Sequence, residues 1–300
     1  MKSKEFYTTQ ILAHVFCAAA ALLAILPFIL LIVSSFTDNA WAAENGYSYF
    51  PGKFSLEAYQ YIAVQWGQIG RAYMMTLLVT FLGTAVSILI TTLFAYGISH
   101  QEIPGMRFVS FLLIFTMLFN GGLVATYYSY VRLYHIKNTI FAILVPGLLM
   151  NAFNVILVRN YFQFSIPVSL PEAARIDGAS EFMTFRRIIF PLSKPIVATV
   201  GLMSALSYWN DWMNGMYYLT EREGGKYYTI QVLLNNINEN LQVLIQNASR
   251  LSASGIKVNQ LPSVTVRMAI AVIGILPIVV LYPFFQRYFV KGITLGGVKE

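Results

Sequence analysis

The chain has 300 residues, of which 57% are hydrophobic and 11% charged, and its mean hydropathy is +0.61. A soluble globular domain carries about 25% charged residues, so a water-solvated globule is excluded and lipid is the natural solvent. The net charge of +7 comes from scattered Lys and Arg with no basic stripe, which leaves no footprint for nucleic acid, and the single cysteine, Cys17, excludes an intramolecular disulfide framework.

A membrane-spanning helix needs about 20 mainly apolar residues. Segments 11–33, 72–98, 108–128, 139–158, 188–212 and 264–289 meet that requirement. They predict an all-α polytopic membrane protein, a single transmembrane domain over 1–300 with six transmembrane helices. Lys2 and Lys4 precede the first apolar run in the manner of a secretory signal. A signal core is only about 7–15 residues long, however, and the longer uncharged run at 11–33 is expected to be a retained helix.

Six spans would place both termini on one side. That side would then carry eleven Lys and Arg (Lys2, Lys4, Arg107, Arg159, Arg175, Arg186, Arg187, Lys194, Arg287, Lys291 and Lys299), many of them close to span ends, against nine on the other side that lie mostly in two long loops. Such a bias marks the cytoplasmic face, so both termini and the segment 159–187 are expected inside. The outer side receives the loops 34–71 and 213–263. In the second, Ile230, Leu233, Leu234, Ile237 and Leu241 recur at helical spacing among many Asn and Gln. An amphipathic outer helix is expected there, either a cap over the membrane surface or a ledge for an external protein.

The spans are poor in ionisable groups, which are the usual mark of ion-coupled transport. His14 and Lys194 sit near span ends, and Asp211 lies roughly 30 Å along a helix from Pro191. Gly224-Gly225-Lys226 is followed by Tyr227 rather than Ser or Thr, so it is not a phosphate-binding loop. No paired carboxylates, His/Cys cluster or nucleophile elbow appears in the sequence, so neither catalytic residues nor a metal site are expected. Uphill movement of a solute would draw its energy from a partner.

The polar stretch between the fourth and fifth apolar segments is built for contact. Ser169-Leu170-Pro171-Glu172 has the form of a capping box that starts a short helix ending near Ile176 or Asp177. Gly178 can adopt the left-handed conformation that stops it, and Ser180 can start a second short helix. The result is an elbow with small residues, Ala173, Ala174 and Ala179, at its corner, where another protein could approach the backbone closely. Asn120-Gly121-Gly122 is expected to break or kink the third helix.

Glu172-Ala173-Ala174, Asp177-Gly178-Ala179, Phe185, Ile188 and Pro191 together resemble the Glu-Ala-Ala loop of ABC-importer permeases. Leu157–Phe162 before Ile166-Pro167, the run Tyr208-Trp209-Asn210-Asp211-Trp212 and the tail from Gln286 to Lys299 are similar to signatures of carbohydrate-uptake permeases. The likeness is to the second permease of maltose-type importers, especially the lipoprotein-linked branch of Gram-positive bacteria, although the outer loop 213–263 is longer than in the maltose protein. The resemblance implies the type I ABC-importer permease fold in a bacterial cell membrane. It implies a homologous second permease, two ATP-binding subunits that consume the ATP, and an external solute-binding protein delivering a carbohydrate. On this chain Glu172, Ala173, Ala174, Asp177, Gly178 and Ala179 would couple to the ATPase, and no cofactor of its own is expected.

Sugars present C–H faces and hydroxyls, which aromatic rings and amides match. Tyr208, Trp209, Asn210 and Asp211, with Asn151 and Asn154, are therefore candidates for the substrate pathway. The same residues would also serve as helix–helix hydrogen bonds and as an interfacial aromatic belt. An ATP-independent secondary transporter or channel is the alternative class. A membrane-embedded enzyme would lack an acid–base constellation.

Overall fold

The computed structural model describes residues 4–246 and 264–294. Its elements are helices: α1 (Lys4–Ser35), α2 (Asn39–Asn45), α3 (Glu57–Val64), α4 (Trp66–Ser99), α5 (Met106–Leu118), α6 (Gly122–Tyr128), α7 (Phe141–Leu144), α8 (Ala152–Phe164), α9 (Ser169–Ile176), α10 (Glu181–Thr184), α11 (Phe190–Leu192), α12 (Lys194–Asn210), α13 (Met213–Tyr218), α14 (Glu221–Gly224), α15 (Ile230–Gln246) and α16 (Val264–Thr294). Among the described residues the one extended pairing is an isolated bridge between Thr37 and Phe54. The contacts group the chain into two compact units. One takes in the described residues up to Ile69 with those of 234–277; the other takes in Gly70–Leu233 with those from 278 onward.

In the first unit, Thr9–Ser35 of α1 is 27 residues long and apolar on every side, with none of its most apolar stretch buried. A helix that is apolar all round and bare within its own chain needs lipid or another protein around it. Beyond it the chain forms an ordered loop. Asp38 Oδ1 accepts from the Trp41 amide (3.0 Å) and caps α2, and its Oδ2 pairs with Lys53 Nζ (2.9 Å). Ser35 Oγ meets the Tyr59 hydroxyl (2.9 Å), Thr265 donates to Asn39 Oδ1 (3.4 Å), and Arg267 donates to the Tyr47 hydroxyl.

In the second unit, α4 crosses α12 through small residues. Gly83 faces the Tyr208 ring, Gly201 faces Ile88, and the Ser87 and Ser204 hydroxyls lie 3.4 Å apart. Small residues let two apolar helices approach closely enough for packing and polar contacts to hold them where no hydrophobic force does. Two buried clusters result. Val79, Ala142, Ile143, Tyr208, Tyr218 and Leu219 form one. Ala95, Ile98, Val155, Val158, Phe162 and Ile189 belong to the other, which carries the elbow.

Thr9–Ser35 and Trp66–Ser99 are each long and apolar enough to cross a membrane as single helices. The third expected span is broken as its Asn-Gly-Gly suggests: α5 and α6 bend by 118° around Gly122, which has φ +79° and donates its amide to Asn120 Oδ1 (2.9 Å). The expected helix over 139–158 is not continuous. Pro146 has no amide to donate and Gly147 takes φ +70°, so only Phe141–Leu144 is helical before α8 starts at Ala152. The freed carbonyls are not left bare. Tyr208 donates to Leu144 O and Asn214 Nδ2 to Pro146 O, both at 2.9 Å, which is how broken helices survive away from water. The fifth expected span, 188–212, is likewise divided: Glu181–Leu192 and Lys194–Asn210 meet at 80° at Ser193, flanked by Pro191 and Pro195. In the loop 213–263, α15 starts at Ile230, whose amide donates to Thr76 Oγ1 (2.9 Å). Residues 247–263 and 295–299, which include part of the outer loop and the end of the tail signature, lie outside the described residues.

Candidate functional site

The Glu-Ala-Ala segment folds as two short helices joined at a tight corner. Gly178 has φ +79°, and a Cβ there would meet nothing within 4 Å, so the demand for glycine is conformational rather than steric. The Gly178 amide donates to Arg175 O (3.0 Å) and the Ala179 amide to Ala174 O (2.9 Å). These paired bonds make a Schellman motif, which satisfies the last carbonyls of α9. Ser180 then caps α10 by accepting from the Met183 amide (3.3 Å). The corner therefore forms as its residues suggest.

Its start does not. Ser169 is already helical and makes no capping bond; the cap position falls on Val168, which has no side-chain oxygen. The turn begins earlier, at Pro167, whose carbonyl accepts from the Leu170 amide (3.2 Å), and the expected Ser169–Glu172 box is displaced.

Of the coupling candidates, Ala174 is buried at the base of α9, whereas Glu172, Ala173, Asp177 and Gly178 are exposed and Ala179 is half-buried. Around them Val168, Leu170, Ile176 and Phe182 are also exposed, Ile176 to 86%. Apolar side chains grouped on a polar connector are characteristic of a surface that meets another protein. Beneath the corner, Phe185 and Ile189 are buried against Val158, Phe162 and Ile98, so the elbow stands on the core of the second unit.

A polar cluster that sequence spacing did not show ties the elbow sideways. Glu181 accepts from Arg175 Nε (2.8 Å) through one carboxylate oxygen and from the Tyr96 hydroxyl (2.7 Å) through the other. The Glu181 carboxylate holds the Arg175 guanidinium above its ordinary pKa. Glu181 and Arg175 are six residues apart, a spacing that a sequence scan could have flagged; Tyr96 lies on α4 and carries no local signal.

The pathway candidates sit in different local environments. Tyr208 is 1% exposed and spends its hydroxyl on Leu144 O. Trp209 is buried edge-on against Tyr73, ring centroids 6.1 Å apart. Asn151 accepts from the Phe153 and Asn154 amides and caps α8, while Asn154 is buried in that helix. Asp211 Oδ1 accepts from the Asn214 amide (3.3 Å) across the turn between α12 and α13. Asn210, the last residue of α12, is exposed. Tyr208, Trp209, Asn210 and Asp211 thus follow one another at the end of α12, and Asn151 and Asn154 lie at the start of α8. Among the described residues no group of three or more His, Cys, Asp or Glu is placed to hold a metal ion.

Residues 103–295, which contain the elbow and the broken helices beside it, match the family described as binding-protein-dependent transport system inner membrane component. The chain belongs to this family. The permease is similar over its whole length to the polygalacturonan/rhamnogalacturonan transport system permease protein YtcP of Bacillus subtilis, at 36% identity with all of both chains covered. It is 27% identical to the maltodextrin transport system permease protein MalD of Streptococcus pneumoniae, covering 97% of this chain and 96% of that one. Among solved structures it is similar to a chain of a bacterial ABC transporter that imports the acidic polysaccharide alginate. That match has a TM-score of 0.78 at 31% identity, with 96% of this permease and 99% of that chain covered.

The all-α type I permease fold expected from the sequence is the fold observed. The protein is a membrane permease subunit of an ABC importer, a transport component rather than an enzyme. The geometry does not fix a count of six spans.

Proposed function

We propose that this permease translocates an oligosaccharide handed over by an external solute-binding protein, and that a separate ATPase drives it through the elbow at 159–187. The observation that carries this reading is the pre-formed corner: a positive-φ Gly178 and two satisfied helix ends hold Ala173, Ile176 and Phe182 outward on a buried base. In this reading the elbow and both chain termini are cytoplasmic, and a homologous second permease and two ATP-binding subunits complete the importer. Glu172, Ala173, Asp177, Gly178 and Ala179 form the contact surface, and Ala174 supports it from beneath. ATP is consumed by the partner and no cofactor sits in this chain.

For the cargo, the relatives at 36% and 31% identity are named for polygalacturonan/rhamnogalacturonan and for the acidic polysaccharide alginate. Acidic oligosaccharides are accordingly the favoured class, ahead of neutral maltodextrins. Asn210 on α12 remains the exposed candidate for sugar contact, with Trp209 packed behind it on Tyr73, and with Asp211, Tyr208 and Asn151 holding the surrounding backbone while Asn154 is buried in α8.

The test is co-purification and uptake. A cysteine placed at Ala173 in a Cys17→Ser background should cross-link to a P-loop ATPase in membranes. Proteoliposomes containing the assembled importer should take up oligogalacturonate in preference to maltotriose, in an ATP-dependent manner. Uptake without ATP, with no cross-link, would overturn the reading.

A further inference from the structure

The covalent route from the elbow into the membrane is poorly suited to carry a push. It passes from α10 through a wide π-type turn at Phe185–Ile189 and then an 80° bend at Ser193 before reaching α12. Such turns and bends are where a helix yields. No covalent route at all joins the elbow directly to α4, whose last turn lies beside it.

Above the apolar base formed by Phe185 and Ile189, what joins α9 and α10 to α4 is Glu181. Its two oxygens are engaged in different directions, by Arg175 Nε from α9 and by the Tyr96 hydroxyl from α4. A charge-assisted bond of 2.7 Å is short, strong and directional. The Tyr96 ring is in turn fixed by an edge-on contact with His100 (4.8 Å) and a tilted one with Phe185 (5.1 Å). His100 Nδ1 lies 2.9 Å from Glu102 Oε1, and its buried Nε2 points at the same Glu181 oxygen from 3.9 Å. The end of α4 is held from the other side as well, where Gln163 Nε2 donates to Ser99 O (2.9 Å). Alongside lies a cavity of about 570 Å³ lined by Tyr96, His100, Glu102, Glu172 and Arg175 among others. The apolar base of the elbow, Phe185 and Ile189, packs on Ala95 and Ile98 of α4, whereas the two short helices α9 and α10 reach the end of α4 through these few polar groups.

We propose that Glu181 is a positioning residue for energy coupling: it latches the elbow to α4 through Tyr96, so that ATP-driven displacement of the elbow moves α4 together with α12. The proposal rests on the elbow reading above and adds the residue that transmits the motion. The side chains of Glu181 and Arg175 are about half exposed, so their pair contributes little to static stability. Its role is to keep two elements moving as one. Because α4 already packs on α12 through Gly83 and Tyr208, a latched elbow has only one rigid body to displace.

The experiment uses the complete importer with its ATPase, in a Cys17→Ser background, carrying spin labels at the exposed Ser169 on α9 and at the exposed Leu93 on α4. The distance between the labels is measured with and without ATP plus vanadate, and binding-protein-stimulated ATP hydrolysis is measured on the same samples. With the latch intact the separation should stay constant on trapping. In Tyr96→Phe, which removes only a hydroxyl, and in Glu181→Gln, it should change, and stimulated hydrolysis should fall roughly three- to thirty-fold, the range of coupling changes of this kind. The double variant should be no worse than the worse single variant, because both remove the same contact. A constant separation and normal stimulation in both variants, with Ala173→Cys still cross-linking to the ATPase, would overturn the latch while leaving the elbow in place. Failure of Ala173→Cys to cross-link in the otherwise unaltered importer would overturn the elbow reading and the latch with it.

Discussion

Gly83 on α4 makes room for Tyr208 on α12: a Cβ at position 83 would lie 2.4 Å from Cζ of the tyrosine ring. The ring cannot simply swing away, because its hydroxyl donates to the Leu144 carbonyl freed by the break at Pro146. Close helix approach and repair of a broken helix thus depend on one side chain.

Gly83→Ala should therefore destabilise the permease by about 1–3 kcal/mol, the usual cost of overpacking. In a Tyr208→Leu background the same change should cost much less, because the obstructing ring is gone. Thermal unfolding of the four proteins in detergent measures the difference. Equal costs in both backgrounds would show that the ring is not what Gly83 accommodates.

At Gly178 the cost is conformational alone. Asn tolerates the left-handed region, Ala pays about 1–2 kcal/mol there, and a β-branched residue pays more. ATP hydrolysis stimulated by the binding protein should fall in the order Gly178, Asn, Ala, Val, with membrane insertion unchanged. A Val variant as active as the Ala variant would place the requirement elsewhere.

Asn210 and Asn214 lie four residues apart and should behave oppositely. Asn210→Ala is expected to lower uptake and blunt discrimination between sugars while the unfolding temperature holds, since the exposed amide closes no visible gap. Asn214→Leu removes the donor to Pro146 O and should cost about 0.6 kcal/mol or somewhat more, as hydrogen bonds in membranes do, with sugar preference unaltered. Uptake of competing oligosaccharides and thermal unfolding, measured on both variants, separate the two roles.

The loop after α1 should be acid-sensitive. The Trp41 amide and then the Lys53 ammonium hold the Asp38 carboxyl below its ordinary pKa. A carboxylate lowered by folding stabilises the loop above its unfolded pKa of about 3.9, and that contribution disappears as pH falls through the lower folded value. Amide exchange at Trp41 should accordingly accelerate only below about pH 4. Asp38→Asn, which keeps an acceptor for the amide but loses the charge, should flatten this dependence. An unchanged acid profile in Asp38→Asn would exclude Asp38 as its source.

Much of the architecture was legible in the chain itself, because the properties concerned are local. An apolar run longer than a bilayer is thick must be a helix in lipid, and 9–35 and 66–99 are such helices. A glycine after a short amphipathic run can stop a helix, and Gly178 does so; Asn120-Gly121-Gly122 likewise breaks the chain where it stands. The family resemblance in the Glu-Ala-Ala segment is also a local pattern. What only the tertiary structure decided depends on partners far apart in sequence. Hydropathy reads 139–158 and 188–212 as continuous spans, since an apolar residue scores the same in a helix as in a turn whose carbonyls are satisfied elsewhere. The break at Pro146 stands because Tyr208 and Asn214 supply donors from 64 and 68 residues away, and beside the Ser193 bend the Tyr161 hydroxyl donates to Leu192 O from 31 residues away. For the same reason Tyr208, an aromatic suited to a sugar when read alone, is buried as structural support. Glu181 gained its significance only when α4 brought Tyr96 against it: side-chain chemistry is written in the sequence, but which groups meet is set by how the helices pack.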